Sequence, residues 1–401
     1  MVQARVRRND ARILAAGLDL IAAQGWSGLS LAAVGKAAGL SIRPVRDRFD
    51  SRGELAAAIW RESAGPALAA ALTRSLTAAG LLGTPGEGKS MDAAEFEAAQ
   101  ESLARPSTEL RAAADLAVVA TFEPELHAAV AESLGTTIRQ WLDPADAGSA
   151  ERAAKRGYLV ALGLGLLAAA HRPGLTELDL QPMWRRYAEV LVVERAAVAL
   201  PEEPRPPHVD FLPFNTGDDI TDALLRAAID HLSQSGYEGA VINEVVRTAG
   251  YSEGAIFSRY PSKEALFLDA ILRDQEIGLR GQREYLQRME ALHGVGIAEA
   301  IAIRGTMSPH DRRICVIDME HARMTWHNTN LAEVEEERLQ ELARSVLAAE
   351  PNHPDFSDPA HLHAARAMGL GVSFLPLIVD TAWDLPYDVV TIPLAERMAA
   401  A

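Results

Sequence analysis

The chain has 401 residues, long enough for two or more domains with separate cores. A net charge of −16 argues against nonspecific nucleic-acid binding by the chain as a whole. The single cysteine, Cys315, excludes an intrachain disulfide and argues against a thiolate-ligated metal. The longest apolar run, YLVALGLGLLAAA from Tyr158, is too short to cross a bilayer. The opening MVQARVRRNDARIL has Arg but no apolar stretch of the secretion-signal kind. A cytoplasmic protein is expected.

The first predicted element is an amphipathic helix, with Leu14, Gly17, Leu18 and Ile21 at i, i+3, i+4 and i+7. Gly25 is expected to stop it with a left-handed cap. A short helix over Leu31–Ala38 follows, then Gly39-Leu-Ser41, in which Gly permits the turn and Ser is expected to cap the next helix, 41–49. Helix, Gly-containing turn, Ser-capped helix is the helix-turn-helix pattern. Ser51-Arg-Gly-Glu54 reads as a capping box opening a fourth helix.

The stretch GTPGEGKS, 83–90, fits the Gly-x4-Gly-Lys-Ser pattern of a phosphate-cradling loop. That loop requires a buried strand before it. What precedes it here is GPALAAALTRSLTAAGLL, an Ala/Leu helix, so 83–90 reads as a link between helices. Nucleotide hydrolysis, with Asp318 in ICVIDME as candidate metal-binding carboxylate, is kept as the rival function.

At Pro201 to Gly217 the composition changes to PEEPRPPHVDFLPFNTG, an extended, semi-rigid connector. Beyond it the chain repeats itself. GWSGLSLAAVGKAAGLSIRPVRDRFDSRGELAAAI aligns without a gap on GYEGAVINEVVRTAGYSEGAIFSRYPSKEALFLDA, 211 positions later. A second helix-turn-helix is therefore expected, with Leu225, Ala228, Ile229 and Leu232 on its first helix, Gly236 ending it, and helices over Ile242–Ala249 and 252–260. ALGLGL from Ala161 is echoed by AMGLGV from Ala367, 206 positions on. The chain is one unit of about 200 residues written twice. The two openings differ in charge: residues 1–62 hold ten Lys/Arg against six Asp/Glu, residues 217–272 four against nine.

Both openings resemble the DNA-binding domain of the TetR family of transcriptional regulators. AGYSEGAIFSRYPSKEALF is close to the family's recognition-helix segment and the start of its fourth helix. The resemblance covers about 50 residues in each half; the rest matches the family only in length and helical pattern. It implies an all-α chain of two fused protomer-like units. The expected domains are 1–62 (first helix-turn-helix), 63–200 (helical ligand-binding-like), 201–216 (linker), 217–272 (second helix-turn-helix) and 273–401 (second ligand-binding-like).

By position, the family's DNA contacts fall in the first unit on Ser30, Ser41, Ile42, Arg43, Pro44, Arg46 and Arg52. Arg43 or Arg46 can read guanine bidentately or clamp phosphate. Arg5, Arg7 and Arg8, taken to precede the first helix, form a basic arm toward phosphates or a minor groove. Arg43 and Pro44 depart from the family's usual Gly and small polar residue. In the second unit the candidates are Ser252, Gly254, Ala255, Phe257, Ser258 and Lys263. Val241 and Phe257 stand where the family often has hydroxyl-bearing Thr and Tyr, so a second head kept mainly for structure is an open alternative, as is a ligand-binding protein whose helix-turn-helix units are both vestigial.

The resemblance further implies a double-stranded DNA operator, no cofactor, no catalytic residues, and a repressor released by a small, largely apolar effector. Met319, Met324, Trp326 and Phe374 are candidate pocket residues. His321, His327, His361 and His363 lack the spacing of a metal site. Family dimers form through the last two helices, which here carry the Gly-Leu-Gly echoes, so an intrachain pseudo-dimer is expected.

Overall fold

The computed structural model describes residues 2–83, 91–171, 174–201, 214–306, 312–349, 358–380, 382 and 385–399. Among them there is no strand. The first unit comprises α1 Val2–Gly28, α2 Leu31–Ala37, α3 Ile42–Arg46, α4 Arg52–Ile59, α5 Gly65–Ala78, α6 Ala93–Ala104, α7 Thr108–Val119, α8 Pro124–Val130, α9 Thr136–Leu142, α10 Pro144–Ala147, α11 Ala150–Ala169 and α12 Gln181–Leu191. The second comprises α13 Asp219–Gly239, α14 Ile242–Ala249, α15 Glu253–Phe257, α16 Lys263–His293, α17 Val295–Thr306, α18 Arg312–Trp326, α19 Thr329–Ala349, α20 Pro359–Ile378 and α21 Asp388–Ala399.

Local chemistry sets most boundaries. Ser51 Oγ accepts from Glu54 N–H at 2.9 Å, and the Glu54 carboxylate accepts from Asp50 N–H at 2.7 Å, so the predicted capping box closes one residue early. Its repeat partner Ser262 caps α16 through Ala265 N–H at 3.1 Å. Gly25 (φ 67°, ψ −168°) and Gly236 (φ 68°, ψ 172°) break α1 and α13 but do not end them. The backbone there is extended with positive φ, a glycine-only region distinct from the expected left-handed cap, and one more helical turn follows.

Two other expectations change. α1 begins at Val2, so Arg5, Arg7 and Arg8 lie within the helix and not on an arm before it; the stretch contains no Gly or Pro to stop the helix propagating toward the N-terminus. Ser41 and Ser252 stand at the N-cap positions of α3 and α15 with extended backbone, yet neither hydroxyl caps its helix.

α4 runs through a wide turn, Trp60–Ala64, into α5, where the Trp60 indole donates to Ser133 Oγ at 2.9 Å. Thr84–Ser90 of the phosphate-loop pattern lies outside the described residues. Its flanks, α5 and α6, are helices, so the strand that such a loop needs is not there. Residues 202–213 of the connector are likewise outside the described set. Its approach is held down: Lys155 Nζ donates to Val193 O at 2.7 Å, and Val198 N–H donates to Asp388 Oδ2 of the second unit at 2.7 Å.

The two units close on each other through their echoed glycines. α11 and α20 cross so tightly that a Cβ on Gly165 would lie 1.6 Å from Ala367 O, and one on Gly371 would lie 1.9 Å from Ala161 O. The repeat pairs Gly165 with Gly371 and Ala161 with Ala367, so the contact is self-complementary, as across a two-fold axis. Small residues allow this backbone approach. α12 and α21 flank the crossing, with Arg397 paired to Glu189 at 3.1 Å. The Trp326 indole donates across to Ala168 O at 2.8 Å. Leu164, Leu167, Phe374 and Met319 belong to one buried core drawn from both units. The second helix-turn-helix keeps a core of its own around Leu225, Leu232, Val245, Ile256 and Phe267.

Candidate nucleic-acid interface

Each reading head is built from a glycine turn and one buried anchor. Gly39 (φ 64°) and Gly250 (φ 80°) turn the chain between the two short helices. Val45 and Ile256, repeat partners, are fully buried and pin α3 and α15 to the head. With Val45 inward, Ser41, Ile42, Arg43 and Arg46 are exposed and Pro44 is half-buried. Pro44 is the third residue of α3, where no intrahelical partner for an N–H exists, so the ring costs the helix no bond. α3 therefore offers two free guanidinium groups with an apolar side chain between them, a combination suited to base edges and phosphates.

The heads are tied to their first helices by arginines that position alone did not mark as structural. Arg12 donates to Ala38 O at the end of α2. Arg48 pairs with Asp10, donating from Nε at 2.9 Å, and its repeat partner Arg259 pairs with Asp218 at 2.7 Å. The Asp218 carboxyl is held well below the usual range, chiefly by the Arg259 hydrogen bond. The recurrence of Arg48 as Arg259 was the available signal.

Two predicted phosphate contacts have protein partners. The Arg52 guanidinium lies 3.9 Å from the Trp26 ring centre and 3.7 Å from Glu123. Lys263 Nζ lies 4.6 Å from the Tyr237 ring centre, and burial lowers its pKa. Arg52 pairs with Lys263 and Trp26 with Tyr237 in the repeat, so a cation held on an aromatic face is part of both heads. Ser30 also has a structural task, accepting from Ala33 N–H at 3.1 Å to cap α2. Arg7 and Arg8 are exposed on α1.

The second head presents a different face. Ser252, Gly254 and Ser258 are exposed and Ala255 is half-buried. Phe257 is 63% exposed, Val241 49% and Tyr251 38%, with the carboxylates of Glu244 and Glu253 beside them in sequence. This surface is apolar and acidic where the first is basic.

The four pocket candidates divide between two buried clusters. Met319, Trp326 and Phe374 are packed in the shared core, while Met324 lies against the core of the second head. The polar interior of the second unit was not foreseen. Asp318 accepts from Ser373 Oγ at 2.9 Å, Gln275 Nε2 and His321 Nδ1 are 3.0 Å apart, and His321 Nε2 lies 3.2 Å from Glu335. Burial raises the Asp318 carboxyl. With Asp115 and Glu320 as counterparts, each approaching the glycine of its own head, the first unit carries Ala113 and Leu116 where α18 has Asp318 and His321. Among the described residues no group of three or more His, Cys, Asp or Glu side chains forms a metal site. Nor, among the described residues, is any helix long and apolar enough to cross a membrane.

An all-helical chain with two helix-turn-helix heads defines a DNA-binding transcriptional regulator. Residues 13–59 and 224–270 each match the family described as "Bacterial regulatory proteins, tetR family". Each of the two fused units thus opens with a match to the TetR family's N-terminal domain, the arrangement of a TetR-type regulator with two units in tandem. No curated protein matches it.

Proposed function

We propose that the chain is a repressor in which one polypeptide supplies both reading heads of a TetR-type dimer. The observation that carries this is the α11–α20 crossing, in which each unit uses the surface through which family protomers pair. The heads are residues 1–62 and 217–272, the helical domains 63–200 and 273–401, and the connector 201–216 runs from the end of one unit to the start of the next.

Arg43 and Arg46 read bases or clamp phosphate, with Ser30, Ser41, Ile42, Pro44 and Arg52 close to the duplex and Arg5, Arg7 and Arg8 adding charge from α1. Ser252, Gly254, Ala255, Phe257, Ser258 and Lys263 make the weaker second contact. A small, largely apolar effector enters between helices of a C-terminal domain and shifts the heads, releasing DNA. The buried polar side chains around Asp318 and His321 support an effector site in the second domain, since they can orient an otherwise apolar molecule. The chain works as a cytoplasmic binding protein, without cofactor or catalysis.

Because the heads differ, the operator consists of two dissimilar half-sites about one helical turn, or a multiple, apart. The mass of the complex on a short operator, with each half-site scrambled in turn, tests this. One chain per operator is expected, with the half-site under the first head costlier to lose. Two chains on a perfect palindrome would overturn it. The acidic, apolar face of the second head favours one alternative, a head that no longer contacts DNA; scrambling its half-site would then change nothing.

A further inference from the structure

Two turns, 120–123 after α7 and 327–328 after α18, occupy equivalent places in the two units. Their contacts make Phe122 the counterpart of His327 and Glu123 that of Asn328, as Asp115 at Gly25 is of Glu320 at Gly236. In the first turn, Phe122 packs on Gly236 of the opposite head: a Cβ there would lie 2.8 Å from Phe122 Cε2. The next residue faces its own head, with Glu123 3.7 Å from Arg52 at the start of α4. The second turn does the same in reverse. A Cβ on Gly25 would lie 2.6 Å from His327 Cδ2, and Asn328 Nδ2 donates to Glu264 Oε1, at the start of α16, at 2.6 Å.

Gly25 and Gly236 end the long runs of α1 and α13, and both hold positive-φ extended backbone that other residues rarely adopt. A buried carboxylate of the same unit approaches each of them: Asp115 at Gly25 and Glu320 at Gly236, both 3.0 Å from the site of a Cβ. Glu320 accepts the Tyr237 N–H at 2.6 Å, while Asp115 Oδ2 lies 3.1 Å from His327 Nε2. Each head is thus gripped at the end of its first helix by an aromatic ring from the other unit.

We propose that these turns are brackets that hold both heads at once, with Phe122 positioning the second head and His327 the first. The inference rests on the reading of the two domains as paired heads, and it names what sets their relative placement. Control then crosses between units: a change in α18 reaches the first head through His327, and a change in α7 reaches the second through Phe122. Neither head moves alone, because each bracket touches both.

Hydrogen exchange of the full-length chain, without DNA, tests the crossing. His327→Ala should speed amide exchange in α1–α3 on the order of tenfold and leave α13–α15 unchanged; Phe122→Ala should do the opposite. His327→Phe, which installs the other bracket's residue, should restore protection of α1–α3. A variant that speeds exchange throughout has unfolded, and Phe122→Leu, which keeps an apolar side chain on Gly236, is then read by the same pattern at smaller amplitude. Faster exchange in the variant's own head, in both heads equally, or in neither overturns the proposal. The readout needs no operator, so the brackets can stand even if one chain does not serve as the dimer equivalent on DNA.

Discussion

Gly165→Ala adds one methyl group at the point where the two units touch. The new Cβ would stand 1.6 Å from Ala367 O, 2.6 Å from Ala367 C and 2.8 Å from Gly371 N. A carbon–oxygen contact needs roughly 3.3 Å, so the helices must separate by about 1.7 Å. All three obstacles are backbone atoms, so no rotamer change relieves the clash. A gap of 0.5–1 Å already forfeits about a quarter to a half of a contact's attraction, and overpacking costs about 1–3 kcal/mol. The upper end, about 3 kcal/mol, is expected here. For a unit of this size that lowers the thermal midpoint by roughly 6–12 °C. Gly369→Ala is the control, since nothing lies within 4 Å of its Cβ and the site is exposed on α20, the other helix of the crossing. It should stabilise by about 0.5–1 kcal/mol through helix propensity alone. Scanning calorimetry of both variants decides the matter. If Gly165→Ala melts with Gly369→Ala at or above the wild type, the units are not joined through this crossing.

Arg46→Ala should lower specific operator affinity by about 1–3 kcal/mol if its free guanidinium reads a base, measurable by fluorescence anisotropy against a scrambled duplex. Arg52→Ala should weaken binding to all sequences and flatten the salt dependence by about one unit. Arg52→Lys, which keeps the charge, should largely restore the salt slope. His171 stacks on Trp326 at 5.5 Å, and burial, followed by the neighbouring His327, lowers its pKa to about 4. The unfolded chain takes up this proton near pH 6.5, so the stabilisation is present above pH 6.5 and is lost as pH falls from there toward 4. The loss is on the order of 3 kcal/mol. Urea melts of His171→Gln at pH 7 and pH 5 should show a smaller fall than the wild type.

The features legible in the sequence depend on residues a few positions apart. The Gly39 turn and the Ser51 cap act within one or two turns of chain, so reading the residues in order sufficed. The repeat added one long-range inference, because two copies of a self-pairing helix in one chain point to the α11–α20 crossing. Even nearby chemistry had limits. Ser41 and Ser252 have the right type and place to cap a helix, but whether a hydroxyl turns toward the backbone depends on its rotamer. Arg5, Arg7 and Arg8 read as an arm, yet no breaker separates them from α1.

What only the tertiary structure decided lies between residues that no helical spacing brings together. Phe122 on Gly236 and His327 on Gly25 follow no sequence spacing; they exist because the crossing sets each unit's turn against the other's first helix. In the same way, Asp318 and His321 sit on a helix whose counterpart carries Ala113 and Leu116, and packing against α16, α19 and α20 supplies their partners. Sequence by itself determined the two heads, their turns and their unequal charge, since backbone conformation and helix periodicity are local. Which side chains join the heads was left to packing, because contact across a core depends on where whole helices come to rest.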